Sequence, residues 1–277
     1  MTIRELELQA VTTRRDLLTM IHNANTGHTG GSLSSADIMT ALYHEVLNIE
    51  SQNPTWEGRD YFILSKGHCV EGYLAVLSAR GFFPKEELKT FSQFKSRLIG
   101  HPNNKIPGIE MNTGALGHGL SLSVGIALGL KKSKKNNRVF VLMGDGEQAE
   151  GSVWEAAMAG SHYKLDNLVA IVDRNHLQIS GSTDEVMNLE PFAERWTAFG
   201  WSIREIDGNN MQEIVDSLTK APFETGKPSL IIAHTIKGKG VKEMENLAKW
   251  HHGVPNTQLF ASAMDQLDRL EKELTHA

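Results

Sequence analysis

The feature that most restricts the fold of this chain is a buried-strand signature running into a glycine-flanked carboxylate. Val139-Phe140-Val141-Leu142 is a short apolar run rich in β-formers, the pattern of a strand covered on both faces. Met143-Gly144-Asp145-Gly146-Glu147-Gln148-Ala149-Glu150-Gly151 follows, and then Ser152 to Tyr163, where Trp154, Ala157, Met158 and Ser161 recur at helical spacing. That order puts Asp145 at the carboxyl end of a strand, where open α/β sheets bind ligands. Gly144 and Gly146 have no side chain to keep a phosphate or a metal away from the backbone. A second strand, Leu168 to Val172, runs into Asp173-Arg174-Asn175-His176-Leu177. Asn175 comes thirty positions after Asp145, room for one helical crossover between parallel strands. A carboxylate and an amide oxygen at neighbouring strand ends suit a hard divalent cation, with diphosphate oxygens completing an octahedron. Gly-Asp-Gly alone is a common turn; its position between strand and helix, with Asp-x-Asn at this distance, carries the functional reading.

The rest of the chain fits the same architecture. An amphipathic helix over 3–24 carries Leu6, Leu17, Leu18 and Ile21 on its apolar stripe. A loop with three glycines, 25–32, separates it from a helix that starts near Ser34-Ser35 with a serine cap and Asp37 in its first turn. Tyr61 to Leu64 reads as a strand, Ser65-Lys66-Gly67-His68 as a turn, and Val70 to Arg80 as a helix; a short helix opens at Pro84. Leu120 to Leu130, dense in Gly, Ala and Ser and apolar nearly all round, reads as a buried, closely packed helix. Helices near 192–199 and 211–219 alternate with strands near 201–206 and 229–233, and an amphipathic helix covers 257–274. The fold class is therefore α/β, a doubly wound, mainly parallel sheet flanked by helices. One domain over 1–277 is the simplest division.

Bulk properties exclude several roles. With 28 basic against 33 acidic residues, the chain is not built to bind nucleic acid. The single Cys69 allows neither an internal disulfide nor a cysteine-cluster metal site. No apolar run reaches membrane-spanning length, and the amino terminus reads as a polar helix start rather than a signal peptide. A cytoplasmic location is expected.

Five of the twelve histidines sit beside a glycine in a predicted loop: His28, His68, His101, His118 and His252. Together they suggest one shared pocket, since imidazole bonds phosphates and sugar hydroxyls and moves protons near neutral pH. Their spacing matches no structural zinc pattern.

Assembled in order, these segments resemble transketolase, specifically its amino-terminal diphosphate-binding domain, from the first helix to about Pro255. The matching segments are Thr26-Gly27-His28-Thr29-Gly30-Gly31, Leu64-Ser65-Lys66-Gly67-His68, Gly100-His101-Pro102, Thr113-Gly114-Ala115-Leu116-Gly117-His118-Gly119, Gly144-Asp145-Gly146, Asp173-Arg174-Asn175 and His252-Gly253-Val254-Pro255. The resemblance implies that Asp145, Asn175 and the Leu177 carbonyl hold Mg²⁺ or Ca²⁺ against the diphosphate of thiamine diphosphate. It implies that His68 contacts the diphosphate and that Gly114, Leu116 and Gly146 line the cofactor. Glu150 matches a glutamate at the family's subunit interface, and His28, His101 and His252 match histidines that bind the ketose donor and assist proton transfer. His118 stands where many transketolases have glutamine.

The resemblance also implies a division of labour. The pyrimidine-binding and third domains of a full transketolase would begin where this chain reaches Ala277. The chain is therefore expected to be the amino-terminal subunit of a split transketolase, joined by a separate carboxy-terminal subunit in a heterotetramer and acting on sugar phosphates. Two alternatives share its features. One is the α-chain of a 2-oxo-acid dehydrogenase or decarboxylase, which the histidines at 28, 101 and 252 disfavour; the other is a cofactor-binding module without chemistry of its own.

Overall fold

The structure is a computed structural model that describes residues 1–276. Its centre is a five-stranded, wholly parallel sheet in the order β1-β2-β3-β5-β4. The strands are β1 (Tyr61–Leu64), β2 (Val139–Gly144), β3 (Leu168–Arg174), β4 (Ser202–Asp207) and β5 (Ser229–His234). β3 is buried along its whole length and β2 up to Met143, as expected for parallel strands covered on both faces. Successive side chains alternate between two cores. Phe140, Leu142, Val169 and Ile171 enter one core; Val139, Val141, Met143, Leu168, Ala170 and Val172 enter the other.

The first core is covered by α1 (Ile3–Ala24), α3 (Ala36–Ala41), α4 (Val70–Ala79), α9 (Met211–Lys220) and α10 (Thr257–His276). Leu6, Leu17, Leu18 and Ile21, the stripe expected on α1, are all fully buried there. The second core is covered by α5 (Gly119–Lys132), α6 (Gly151–His162) and α8 (Phe192–Ala198), with Trp154, Trp196 and Trp201 in ring contact. Helices on both faces make the sheet doubly wound, as the alternating pattern predicted.

Three local readings are corrected. The glycine loop at 25–32 is helical in its second half, forming α2 (Thr29–Ser34). Its glycines are there for close packing, because a Cβ on Gly30 would lie 2.8 Å from the Trp250 carbonyl and one on Gly31 2.6 Å from Cys69 Sγ. The expected serine cap is absent: Ser35 Oγ donates to the Gly31 carbonyl, and Asp37 forms a buried bidentate pair with Arg14 at 2.8 and 2.7 Å. That helix runs to Ala41 and passes into a π-helical turn at Leu42–Val46. Finally, α5 is not buried all round. Ser121, Gly125 and Gly129 are exposed along one face, and a Cβ on either glycine would meet nothing within 4 Å.

Because all five strands run the same way, their carboxyl ends gather on one edge of the sheet. β1 delivers Ser65, Lys66 and His68 there, β2 delivers Gly144 to Glu147, β3 delivers Asn175 to Gln178, and β5 delivers Thr235 and Lys237.

Candidate active site

Buried charges fasten these strand ends together. Glu147 takes the Ser65 hydroxyl and the Gly117 N–H (2.8 Å) on Oε1, and the Gly144 N–H (3.0 Å) on Oε2. One carboxylate thereby joins the ends of β1 and β2 to the loop before α5. Asp173 is fully buried and accepts from Lys66 Nζ, the Thr235 hydroxyl, Ser34 Oγ (2.6 Å) and Asn175 Nδ2 (3.2 Å). Burial opposes the charge on both Lys66 and Asp173. Their mutual attraction and these hydrogen bonds win, raising the lysine pKa and lowering the aspartate pKa, so the pair stays ionised. By binding Asn175 Nδ2, Asp173 fixes which way that amide faces, in the manner of an outer-shell partner of a metal ligand.

A cavity of about 240 Å³ lies above these ends, lined by Lys66, His68, Asp145, Asn175, Leu177, Gln178, Lys237 and His251. Leu116, Gly146 and Glu150 form part of its rim. The volume falls below the roughly 300–1,000 Å³ typical of pockets that enclose a whole small-molecule ligand.

The chemistry of the lining fits a diphosphate with its cation. Asp145 is only 2% exposed, and burial, aided by Asp173, pushes its carboxyl up to about 6. Its nearest cation is Arg174 Nη1, 3.5 Å away; a divalent ion in the cavity would remove the penalty. Gln178 Nε2 is buried and unpaired among the described residues, a donor free for an anionic oxygen. A Cβ on Gly144 would meet nothing nearer than Lys66, 3.8 Å away, so the backbone there is open to a ligand. No group of three or more His, Cys, Asp or Glu among the described residues is placed to hold a metal ion by itself.

Beside the cavity stands a cluster of imidazoles centred on His28. Its ring centroid lies 4.7 Å from His252, 5.3 Å from His68, 5.7 Å from His251 and 6.3 Å from His101. His101 packs onto Gly114, whose φ of +132° and lack of a Cβ allow the contact. Four of the five histidines expected to converge do so. His118 does not: it is exposed, with Nδ1 3.1 Å from the Leu116 carbonyl. His251 takes the fifth place, 5.0 Å from His68 and bonded through Nδ1 to Lys237 Nζ at 3.5 Å. Lysine can only donate, so the bond leaves the proton on Nε2 of His251. Burial, together with neighbouring rings and Lys237, lowers His28 to about 4 and His251 to about 3, and burial lowers His68 and His101. Burial thus favours the neutral form of these rings, in which each can both donate and accept a hydrogen bond.

Residues 7–266 match the family model described as the transketolase thiamine diphosphate binding domain. The chain belongs to the transketolase family. It is 50% identical over 277 residues to a subunit of the apulose-4-phosphate transketolase of Phocaeicola vulgatus, covering 99% of each chain. It is 39% identical over 266 residues to a 6-deoxy-6-sulfo-D-fructose transketolase subunit from a Clostridium species, covering 96% of this chain and 97% of that one. Among solved structures, the Campylobacter jejuni transketolase superposes with a TM-score of 0.91 at 32% identity. The alignment takes in 99% of this chain but 46% of that one, so the chain spans just under half of that solved transketolase. The transketolase match sets aside the 2-oxo-acid dehydrogenase alternative.

Several site residues escape a motif-based reading. Lys66 lies inside a recognised turn but looks like any surface lysine until Asp173, 107 positions away, is brought to it. Lys237 and Gln178 carry no motif of their own. His251 precedes His252, and only His252 stands beside a glycine.

Proposed function

We propose that this chain is the diphosphate-binding subunit of a thiamine diphosphate-dependent transketolase, a single domain over 1–277 working with a separate chain that carries the pyrimidine-binding part. The reaction is transfer of a two-carbon ketol unit from a ketose, typically a sugar phosphate, to an aldose acceptor in the cytoplasm. The observation that carries this reading is the junction of two features: the carboxylate-and-amide cavity and the neutral imidazole cluster meet through His68 and His251.

Asp145, Asn175 and the Leu177 carbonyl would hold Mg²⁺ or Ca²⁺, and His68, Leu116, Gly114 and Gly146 would line the cofactor. When bound, thiamine diphosphate supplies the electron sink that lets the bond between the second and third carbons of a ketose break. His28, His101 and His252 grip the donor's hydroxyls, and a neutral ring can take the proton from the hydroxyl on the third carbon as that bond opens. Glu150, exposed at the cavity rim, faces the partner. The bare face of α5, with Gly125 and Gly129 exposed and Met158 of neighbouring α6 55% exposed, is where a second chain would pack, and two such pairs would form a heterotetramer. The names of the relatives make apulose-4-phosphate and a sulfonated fructose the first donors to try.

The test is turnover of ketose donors by this chain alone and by the chain mixed with the product of a neighbouring transketolase gene, with thiamine diphosphate and Mg²⁺. Activity only in the mixture is expected. Full turnover by the chain alone would overturn the split-site reading, and cofactor binding without turnover in any mixture would favour a module without chemistry.

A further inference from the structure

Glu71, on the first turn of α4, is fully buried and forms no ion pair among the described residues. Its Oε1 accepts the His28 main-chain N–H at 2.9 Å and its Oε2 accepts the Ser32 hydroxyl at 2.9 Å. The residue before His28 must leave room for this carboxylate. Gly27 sits at φ +152°, and a Cβ there would lie 2.8 Å from Glu71 Oε1 and 2.6 Å from Ile21. The polar groups that bond the carboxyl are the His28 N–H, the Ser32 hydroxyl and the main-chain N–H of Glu71 itself. A carboxylate without a cation in such a place is costly, and an apolar side chain would fill the space without that cost. What Glu71 provides that an apolar residue does not is a fixed acceptor under the backbone of the ring at the centre of the imidazole cluster.

We propose that Glu71 is a positioning residue for donor binding: it holds His28 in register with His68, His101 and His252, and so sets affinity for the ketose but not for the cofactor. The inference rests on the donor role proposed for His28. A buried N–H that loses its acceptor costs about 1–3 kcal/mol, and a group displaced by an ångström can lose orders of magnitude in rate.

The experiment compares Glu71→Ala, Glu71→Gln and His28→Ala in the enzyme reassembled with its partner, reading donor KM and the apparent Kd of thiamine diphosphate with Mg²⁺. Glu71→Ala should raise donor KM about tenfold with cofactor Kd unchanged. Glu71→Gln, which keeps an acceptor for the His28 N–H, should restore most of the loss. A readout independent of turnover is the His28 ring titration by NMR in the isolated chain. It should move up from about 4 in Glu71→Ala, as the loop opens to water, and stay put in Glu71→Gln. If Glu71→Ala does not fold, Glu71→Asp, one methylene shorter, takes its place with the same readouts. Donor KM within twofold of wild type, or an equal rise in cofactor Kd, overturns the proposal while His28→Ala still raises donor KM. An unchanged donor KM in His28→Ala overturns the donor role of His28 together with it.

Discussion

The carboxylate of Asp145 accepts the main-chain N–H of His176 at 2.6 Å, which ties the loop after β2 to the loop after β3. The same carboxylate takes the Gly146 N–H at 2.8 Å. Asp145 thus shapes the two loops that carry the proposed cation ligands as well as offering one of those ligands. Asp145→Ala is expected to weaken binding of thiamine diphosphate with Mg²⁺ roughly 100-fold by calorimetry. It should also lower stability by about 1–3 kcal/mol through the freed N–H groups. Wild-type affinity in this variant would remove Asp145 from the site.

Glu147 makes no proposed contact with a ligand, yet it joins three segments of the site. Glu147→Ala would leave the Gly117 and Gly144 N–H groups without partners in a buried place. A loss of about 3 kcal/mol is expected in chemical denaturation, on the order of 1–3 kcal/mol for each unsatisfied group. Glu147→Gln should recover part of it. A change below about 0.5 kcal/mol would mean that water replaces the carboxylate, as at ordinary surface positions.

Burial raises the Glu71 carboxyl from 4.5 to about 7. A carboxyl whose folded pKa lies above its unfolded one favours folding in its protonated form. Its stabilising share is complete below the unfolded value, is lost as pH climbs through the folded value, and changes no further above it. Replacing it with glutamine removes that loss. The stability of Glu71→Gln relative to wild type should therefore increase between pH 5 and pH 8, by up to about 3 kcal/mol. A difference that stays flat over that range would show that the carboxyl titrates normally.

The exposed face of α5 lets folding and the proposed assembly be tested apart. A Cβ on Gly125 meets nothing within 4 Å in its own chain and leucine replaces a poor helix former, so the isolated Gly125→Leu chain should be about 0.5–1 kcal/mol more stable. If that face receives the partner, the same variant should neither co-purify with it nor gain activity from it. Normal assembly with raised thermal stability would place the interface elsewhere.

The sheet was legible because β2 and β3 are covered on both faces, which forces unbroken apolar runs into the sequence. The carboxylate and amide at adjacent strand ends followed from that topology. The helix at Thr29–Ser34 was hidden because its glycines answer to Trp250 and Cys69, contacts that local propensity does not record. Position beside a glycine marked His28, His68, His101 and His252 as loop residues but gave no direction, and so it admitted His118 and passed over His251. Glu71 was invisible for a related reason. A glutamate early in a helix looks like a solvated end until the chain returns His28 to it across 43 positions.

The packing of imidazoles around His28 has a consequence for the hydrogen bonds a sugar can make there. With burial lowering His28, His68, His101 and His251 below their ordinary pKa, the neutral form of each ring is favoured, and a neutral imidazole offers one N–H and one bare nitrogen. One such ring would therefore accept from one sugar hydroxyl while donating to another, so that a single residue reads two groups of opposite polarity.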